Sequence, residues 1–260
     1  MADFIILRKG RNAFSSFLHA ALNIALGAGS VYITWATKSP ALGLLLVLLS
    51  KWRMFAVRPR YWELNFKANL LDLIVGCSFI LITYCSGPII LPVHFIMAAL
   101  YSIWLVFIKS KSSEAAVNVQ SLIAIFFGTT ALTLMAASAD SWVMPIGGFI
   151  IGYAAARHIL IQGDEKDINI IVLAGAIIFA EIAWLCHSWL IVYTFPEIGL
   201  IIPQLSIIMV ILSFLFGFTY KAIQQNEGKM KWSEVGMPTV FFAILIMIIV
   251  IFFSQPIFNV

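Results

Sequence analysis

The sequence predicts an all-α bundle of about nine transmembrane helices, forming a single integral membrane domain over residues 1–260. Three observations carry that prediction. The chain is 62% hydrophobic and only 11% charged, with a mean hydropathy of +1.01, whereas a soluble domain carries about 25% charged residues. Apolar runs recur from end to end, each near the ~20 residues needed to cross about 30 Å of hydrocarbon. Basic residues also concentrate in alternate connections between those runs.

The apolar runs place spans at residues 13–36, 40–52, 68–86, 89–108, 114–137, 142–161, 168–195, 198–221 and 237–254. The second is short, and whether it fully crosses is open at this point. Arg8, Lys9 and Arg11 precede the first span. This resembles the start of a signal peptide, but the apolar stretch exceeds a signal core and no small-residue cleavage site follows, so it is expected to stay as a span. Ala2 excludes N-myristoylation, and there is no C-terminal Cys for prenylation.

The connections test the count. One set holds fifteen of the sixteen basic residues, and the opposite set holds only Lys38, with Asp140 and Glu197. Lys and Arg in short loops stay on the cytoplasmic side, so the prediction is N-terminus inside and C-terminus outside. The densest connection is Lys51 to Lys67, with Lys51, Arg53, Arg58, Arg60 and Lys67 set among Trp52, Phe55, Tyr61, Trp62 and Phe66. Lys51, Arg53, Arg58, Arg60 and Trp62 are expected to meet anionic lipid headgroups or a partner. The net charge of +4 is a topology signal, and no nucleic-acid partner is expected.

Pro40, Pro92, Pro145 and Pro203 stand near the starts of spans that enter from outside. This fits either a repeated helical hairpin or the general suitability of proline for a first helical turn.

Polar residues in lipid are costly, so their placement is informative. Ser15, His19, Asn23, Gly27, Ser30 and Thr34 follow one face of the first span; Asn65, Asn69, Asp72, Gly76 and Thr83 follow one face of the third. The two stripes either bond helix to helix or line a shared cavity, in which His19, Asn23, Asn69 and Asp72 are the substrate-binding candidates. Glu181 lies well inside the seventh span and is the candidate proton-titrating group, or else a neutral Glu bonded to a neighbouring helix. Arg157 and His158 either snorkel to the headgroups or pair with Asp72 or Glu181. Asn118 and Gln120 enter the fifth span from the cytosolic side.

The small residues Gly148, Gly152 and Ala156 on the sixth span, and Ala176, Ala180 and Ala183 on the seventh, are spaced for close helix packing. Four histidines sit on different elements and three cysteines lie singly in or beside apolar runs, with no metal-ligand spacing. The acidic residues Asp164, Glu165 and Asp167 read as a solvated turn. No nucleophile motif, phosphate loop or dinucleotide fingerprint is present, so no metal, cofactor or catalytic residue is expected.

The run SKWRMFAVRPRYW, followed by Asn65, Asn69 and Asp72, resembles a segment of multi-pass membrane proteins from Saccharibacteria-like candidate-phylum bacteria. The resemblance covers residues 50–72. It implies a bacterial inner-membrane protein and brings no activity with it.

The residues themselves favour a non-enzymatic small-solute transporter or channel-like protein, with a polar cavity open to the cytosol and a small solute or proton as its cargo. A membrane scaffold that uses the basic aromatic loop is the alternative. An intramembrane lipid-modifying enzyme is the third reading.

Overall fold

The computed structural model describes residues 2–87, 91–137, 139–161, 168–188, 191–226, 229 and 231–253, with backbone alone for residues 2–14. Asp164, Glu165, Lys166 and Asp167, and the side chains of Arg8, Lys9 and Arg11, lie outside the described residues.

Nine α-helices are described: α1 (Ala2–Thr37), α2 (Pro40–Ser50), α3 (Trp62–Cys85), α4 (Leu91–Ile103), α5 (Glu114–Ala136), α6 (Val143–Leu160), α7 (Ile168–His187), α8 (Gln204–Gln225) and α9 (Trp232–Phe252). All except α2 form spans long and apolar enough to cross a membrane, α4 doing so with the turn that follows it. The outward surface is built of side chains such as Phe17, Leu22, Phe95, Ile170, Met237 and Phe252, each more than half exposed. Such a surface is tolerable in lipid and would aggregate in water, so this is a multi-pass membrane protein.

The short second span is a half-helix. Ser39 caps its start by accepting from Ala41 N at 3.4 Å, and Pro40 occupies the first turn. Its 11 residues rise only about 16 Å. The chain from Lys51 to Tyr61 then continues through two 3-10 turns, Trp52–Met54 and Pro59–Tyr61, before α3 begins. The chain thus leaves the α2 helix at Ser50, well before the Arg58-Pro59-Arg60 corner.

α1 and α3 end side by side: Thr34, Trp35 and Lys38 line one small cavity with Thr83, Tyr84, Gly87 and His94. The half-helix and its irregular continuation therefore return the chain to the end at which α3 starts. That end also gathers Lys109, Lys111, Glu114 and Lys221 through contacts described below, and is called here the basic end.

α5 is the central helix, packed on α3, α6 and α8. Thr130 Oγ1 and Ser206 Oγ meet at 2.9 Å inside the bundle, joining α5 to α8. α6 and α7 form the tightest pair, and their small-residue stripes face each other. A Cβ on Gly148 would stand 2.7 Å from Ala183 Cβ and 2.9 Å from Phe179 O, and one on Gly152 2.6 Å from Phe179 Cβ.

The expected seventh and eighth spans need correction. α7 stops at His187, and Val192–Phe195 pairs antiparallel with Leu200–Pro203 as β1 and β2, Val192 opposite Pro203 and Phe195 opposite Leu200. Gly199 N donates to Phe195 O at 2.9 Å, and Gly199 takes φ +68° to close the turn. The apolar run concealed this hairpin because a short buried strand and a helix segment share the same hydropathy; the β-branched and aromatic residues of Val192–Phe195 are the distinguishing sign. α8 accordingly begins at Gln204, just after Pro203.

At this far end Gln204 Nε2 donates to Ile249 O at 3.0 Å, and Tyr193 Oη donates to Phe253 O at 2.8 Å. Phe253 O lies just past the last turn, where helices leave carbonyls unpaired, and Ile249 O accepts the Phe253 N–H at 3.1 Å as well. α9 starts earlier than its apolar run implies, and Pro238 lies inside it. At the basic end Asn226 Nδ2 donates to Glu234 Oε2 at 2.5 Å, tying the start of α9 to the end of α8.

Gly152→Leu is expected to separate α6 from α7 and lower stability by about 1–3 kcal/mol, read as a reduced melting temperature in detergent. Gly29→Ala, where an added Cβ meets nothing within 4 Å, should leave the melting temperature unchanged or raised.

Candidate functional site

Asp72 lies ten residues into α3, about 15 Å along the helix from its start and just over one turn past Lys67, inside the apolar part of the span. Its side chain is 11% exposed. A lone carboxylate there would be strongly disfavoured, and three groups compensate it. Lys51 Nζ is ion-paired with Oδ2. Lys109 Nζ reaches the same oxygen at 2.6 Å. Trp104 Nε1 donates to Oδ1 at 2.8 Å.

Each partner arrives by a distinct local device. Lys51 is the residue immediately after α2, so the half-length of that helix sets its ammonium at the depth of Asp72. Trp104 and Lys109 flank a π turn, Trp104–Ile108, that continues α4. Lys109 N donates to Trp104 O at 2.9 Å, five residues back. This wider turn brings an indole and an ammonium onto one carboxylate, and π turns of this kind concentrate at functional sites.

The helix ends where the π turn ends, and Gln120 of α5 meets carbonyls at and just beyond that end. Gln120 Nε2 donates to Ile108 O at 2.7 Å and to Lys111 O at 2.8 Å. With the amide nitrogen so engaged, Gln120 Oε1 accepts from His158 Nε2 at 2.7 Å. A buried glutamine thereby locks α4, α5 and α6 together beside the ionic cluster.

The electrostatics are unbalanced. One carboxylate can neutralise one ammonium, yet two converge on Asp72. The Lys51 side chain is 4% exposed and that of Lys109 38%, so Lys109 is the member that reaches toward the basic end. The cluster thus carries one positive charge in excess, and Lys109, the more exposed of the two lysines, is where that charge meets the surroundings.

Of the residues proposed from sequence, Asp72 occupies the centre of this cluster. Asn69 is half-buried and donates from Nδ2 to Asn65 O at 2.9 Å within its own helix; Asn23 is half-buried and His19 exposed on α1. Glu181 is exposed on α7, which points it away from the Asp72 cluster. Arg53, Arg58, Arg60 and Trp62 are exposed, whereas Lys51 departs from the expected headgroup contact, since it is drawn inward to balance Asp72. Arg157 is not the partner of Asp72.

Lys109 and Trp104 are the site members that sequence reading did not place. The available signals were a buried Asp without a charge partner on its own helix, and a second span too short to carry Lys51 out of the membrane. Among the described residues no three His, Cys, Asp or Glu side chains converge as a metal site would require.

No protein-family model, curated protein or solved structure matches this chain.

Asp72→Leu leaves two ammoniums uncompensated and is expected to lower stability by about 3–5 kcal/mol. The triple variant Asp72→Leu, Lys51→Met, Lys109→Met should recover most of that loss. Unfolding in mixed micelles, followed by helix content, measures both.

Proposed function

We propose that the protein moves a small solute across a bacterial inner membrane, with the Lys51–Asp72–Lys109 cluster as its ion-responsive centre. The observation that carries this reading is the surplus positive charge around one buried carboxylate within a span. A purely structural ion pair is served by one lysine. A second lysine creates a place that gains or loses a proton, or takes up an anionic group, as the surroundings change.

Two features of the backbone support the same reading. α2 is a broken helix whose C-terminal end delivers Lys51, and discontinuous helices at mid-depth build the ion and substrate sites of many carriers. The π turn supplies the opposite wall. In this reading the half-helix and residues 51–61 together make the second of nine crossings, the N-terminus is cytoplasmic and the C-terminus outside. The cluster then opens to the cytosol through Lys109. The role is transport, with no bond-making step.

A second reading has its own support. Trp62 Nε1 donates to Val57 O at 3.0 Å, the Phe55 and Trp62 rings meet edge-to-face at 5.7 Å, and the Arg60 guanidinium lies 4.6 Å from the Tyr61 ring centre. The loop is thereby held in one shape with Arg53, Arg58 and Arg60 exposed. Such a surface suits anionic headgroups or an acidic partner, as a scaffold protein requires.

Proteoliposomes holding a trapped pH dye separate the two. Under the transport reading, small organic anions or cations drive a proton flux that Asp72→Asn and Lys51→Met abolish, while Glu181→Gln, on the outer face of α7, leaves it unchanged. Absence of flux for every solute, with vesicle binding that falls in Arg58→Ala and Arg60→Ala, establishes the scaffold reading instead.

A further inference from the structure

α8 packs on α5 and α9 but touches α7 sparsely, and the space this leaves is divided into two cavities. One, of about 510 Å³, lies between α5, α8 and α9; the other, about 240 Å³, lies between α8 and the α6–α7 pair. Ile125, Ile159 and Ser213 line both, so the two spaces adjoin. The larger falls within the roughly 300–1,000 Å³ of small-molecule sites.

The larger cavity is chemically graded. At the basic end stand Glu114 and Lys221, paired at 2.6 Å with both side chains more than half exposed, together with Asn118 and Gln224. Deeper along α5 the lining becomes Leu122 and Ile125, faced by Phe214 of α8 and Phe242 of α9. Between the two zones, two turns in from Glu114, stands Ser121. It is fully buried and its hydroxyl has no hydrogen-bond partner. Serines within helices ordinarily bond a carbonyl of the preceding turn, as Ser78, Ser102 and Ser213 do here. A buried hydroxyl left unpaired on a cavity wall marks a position for a ligand acceptor.

We propose that this cleft binds a membrane amphiphile with a zwitterionic headgroup. Its ammonium meets Glu114, its phosphate meets Lys221, an ester carbonyl accepts from Ser121 Oγ, and an acyl chain follows Ile125 and Phe242. A head bearing both signs fits a mouth bearing both signs. An anionic head would meet Glu114 without a counter-charge, and an uncharged head would leave the Glu114–Lys221 pair nothing to exchange. This site is separate from the Asp72 cluster and does not depend on the transport reading.

The test uses the full-length protein, stripped of lipid in detergent and offered phosphatidylethanolamine, phosphatidylglycerol or diacylglycerol, with retention read by native mass spectrometry. Phosphatidylethanolamine is expected to be retained at one per chain and the other two several-fold more weakly. Gly217 lines the cleft, and a Cβ there meets nothing within 4 Å, so Gly217→Phe fills the space without straining the helix and abolishes retention, while Gly217→Ala preserves it. Ser121→Val weakens retention several-fold with helix content unchanged. Retention in Gly217→Phe equal to the natural protein means a surface-lipid layer only and overturns the site. Equal retention of all three lipids overturns the headgroup assignment.

Discussion

The carboxylate of Asp72 is the constraint on which the rest of the bundle depends. A charge buried within a membrane span must be answered within the protein, and here the answer draws on three separate segments. α2 stops at Ser50 so that Lys51 arrives at the right height. α4 widens into a π turn so that Trp104 and Lys109 reach the same group. α5 contributes Gln120, whose amide donates to the carbonyls of Ile108 and Lys111 where that turn ends. Each local irregularity departs from an ideal helix, and each is compensated by the next. The chain is irregular where its charge is concentrated and regular elsewhere.

Much of this was legible in the sequence, for a physical reason. Hydropathy reports the solvent a segment prefers, so the long spans were readable one at a time, and the small-residue stripes of Gly148–Gly152 and Ala176–Ala183 followed from helical spacing, although that they face each other is seen only in the fold. Asp72 was legible as a costly residue in an apolar run. Its partners were not, because Lys51 and Lys109 lie 21 and 37 residues away and meet it only through tertiary structure. Lys51 also carried a misleading context, standing first in a run of basic and aromatic residues whose other members do face outward. Hydropathy could not separate the β1–β2 hairpin from helix, since both bury the same kind of side chain. Nor could it say which face of α7 carries Glu181.

Two polar features share the basic end. One is an ionic cluster: Asp72 is held by its lysines and an indole, Lys109 reaches toward the basic end, and α5 braces the cluster through Gln120. The other is the cleft between α5, α8 and α9. α5 forms a wall of both, with Gln120 directed to the π turn and Ser121, its neighbour in sequence, directed to the cleft. A single helix thus separates the charged interior from a space of amphipathic lining, and a rotation of α5 would disturb both together.

The proline inside α9 bears on how the open space can change. Both ends of that helix are held, by Gln204 and Tyr193 at one end and by Asn226 at the other, so α9 cannot swing away as a rigid rod. Pro238 lacks the amide hydrogen that would bond the carbonyl of Glu234, and helices bend at such points. Phe242, the α9 residue on the cleft wall, stands one turn beyond that flexible joint. With its ends pinned and a proline in its first third beside the opening, α9 has the mechanics of a bow: flexure at that point would move the cleft wall while both anchor points stay in place.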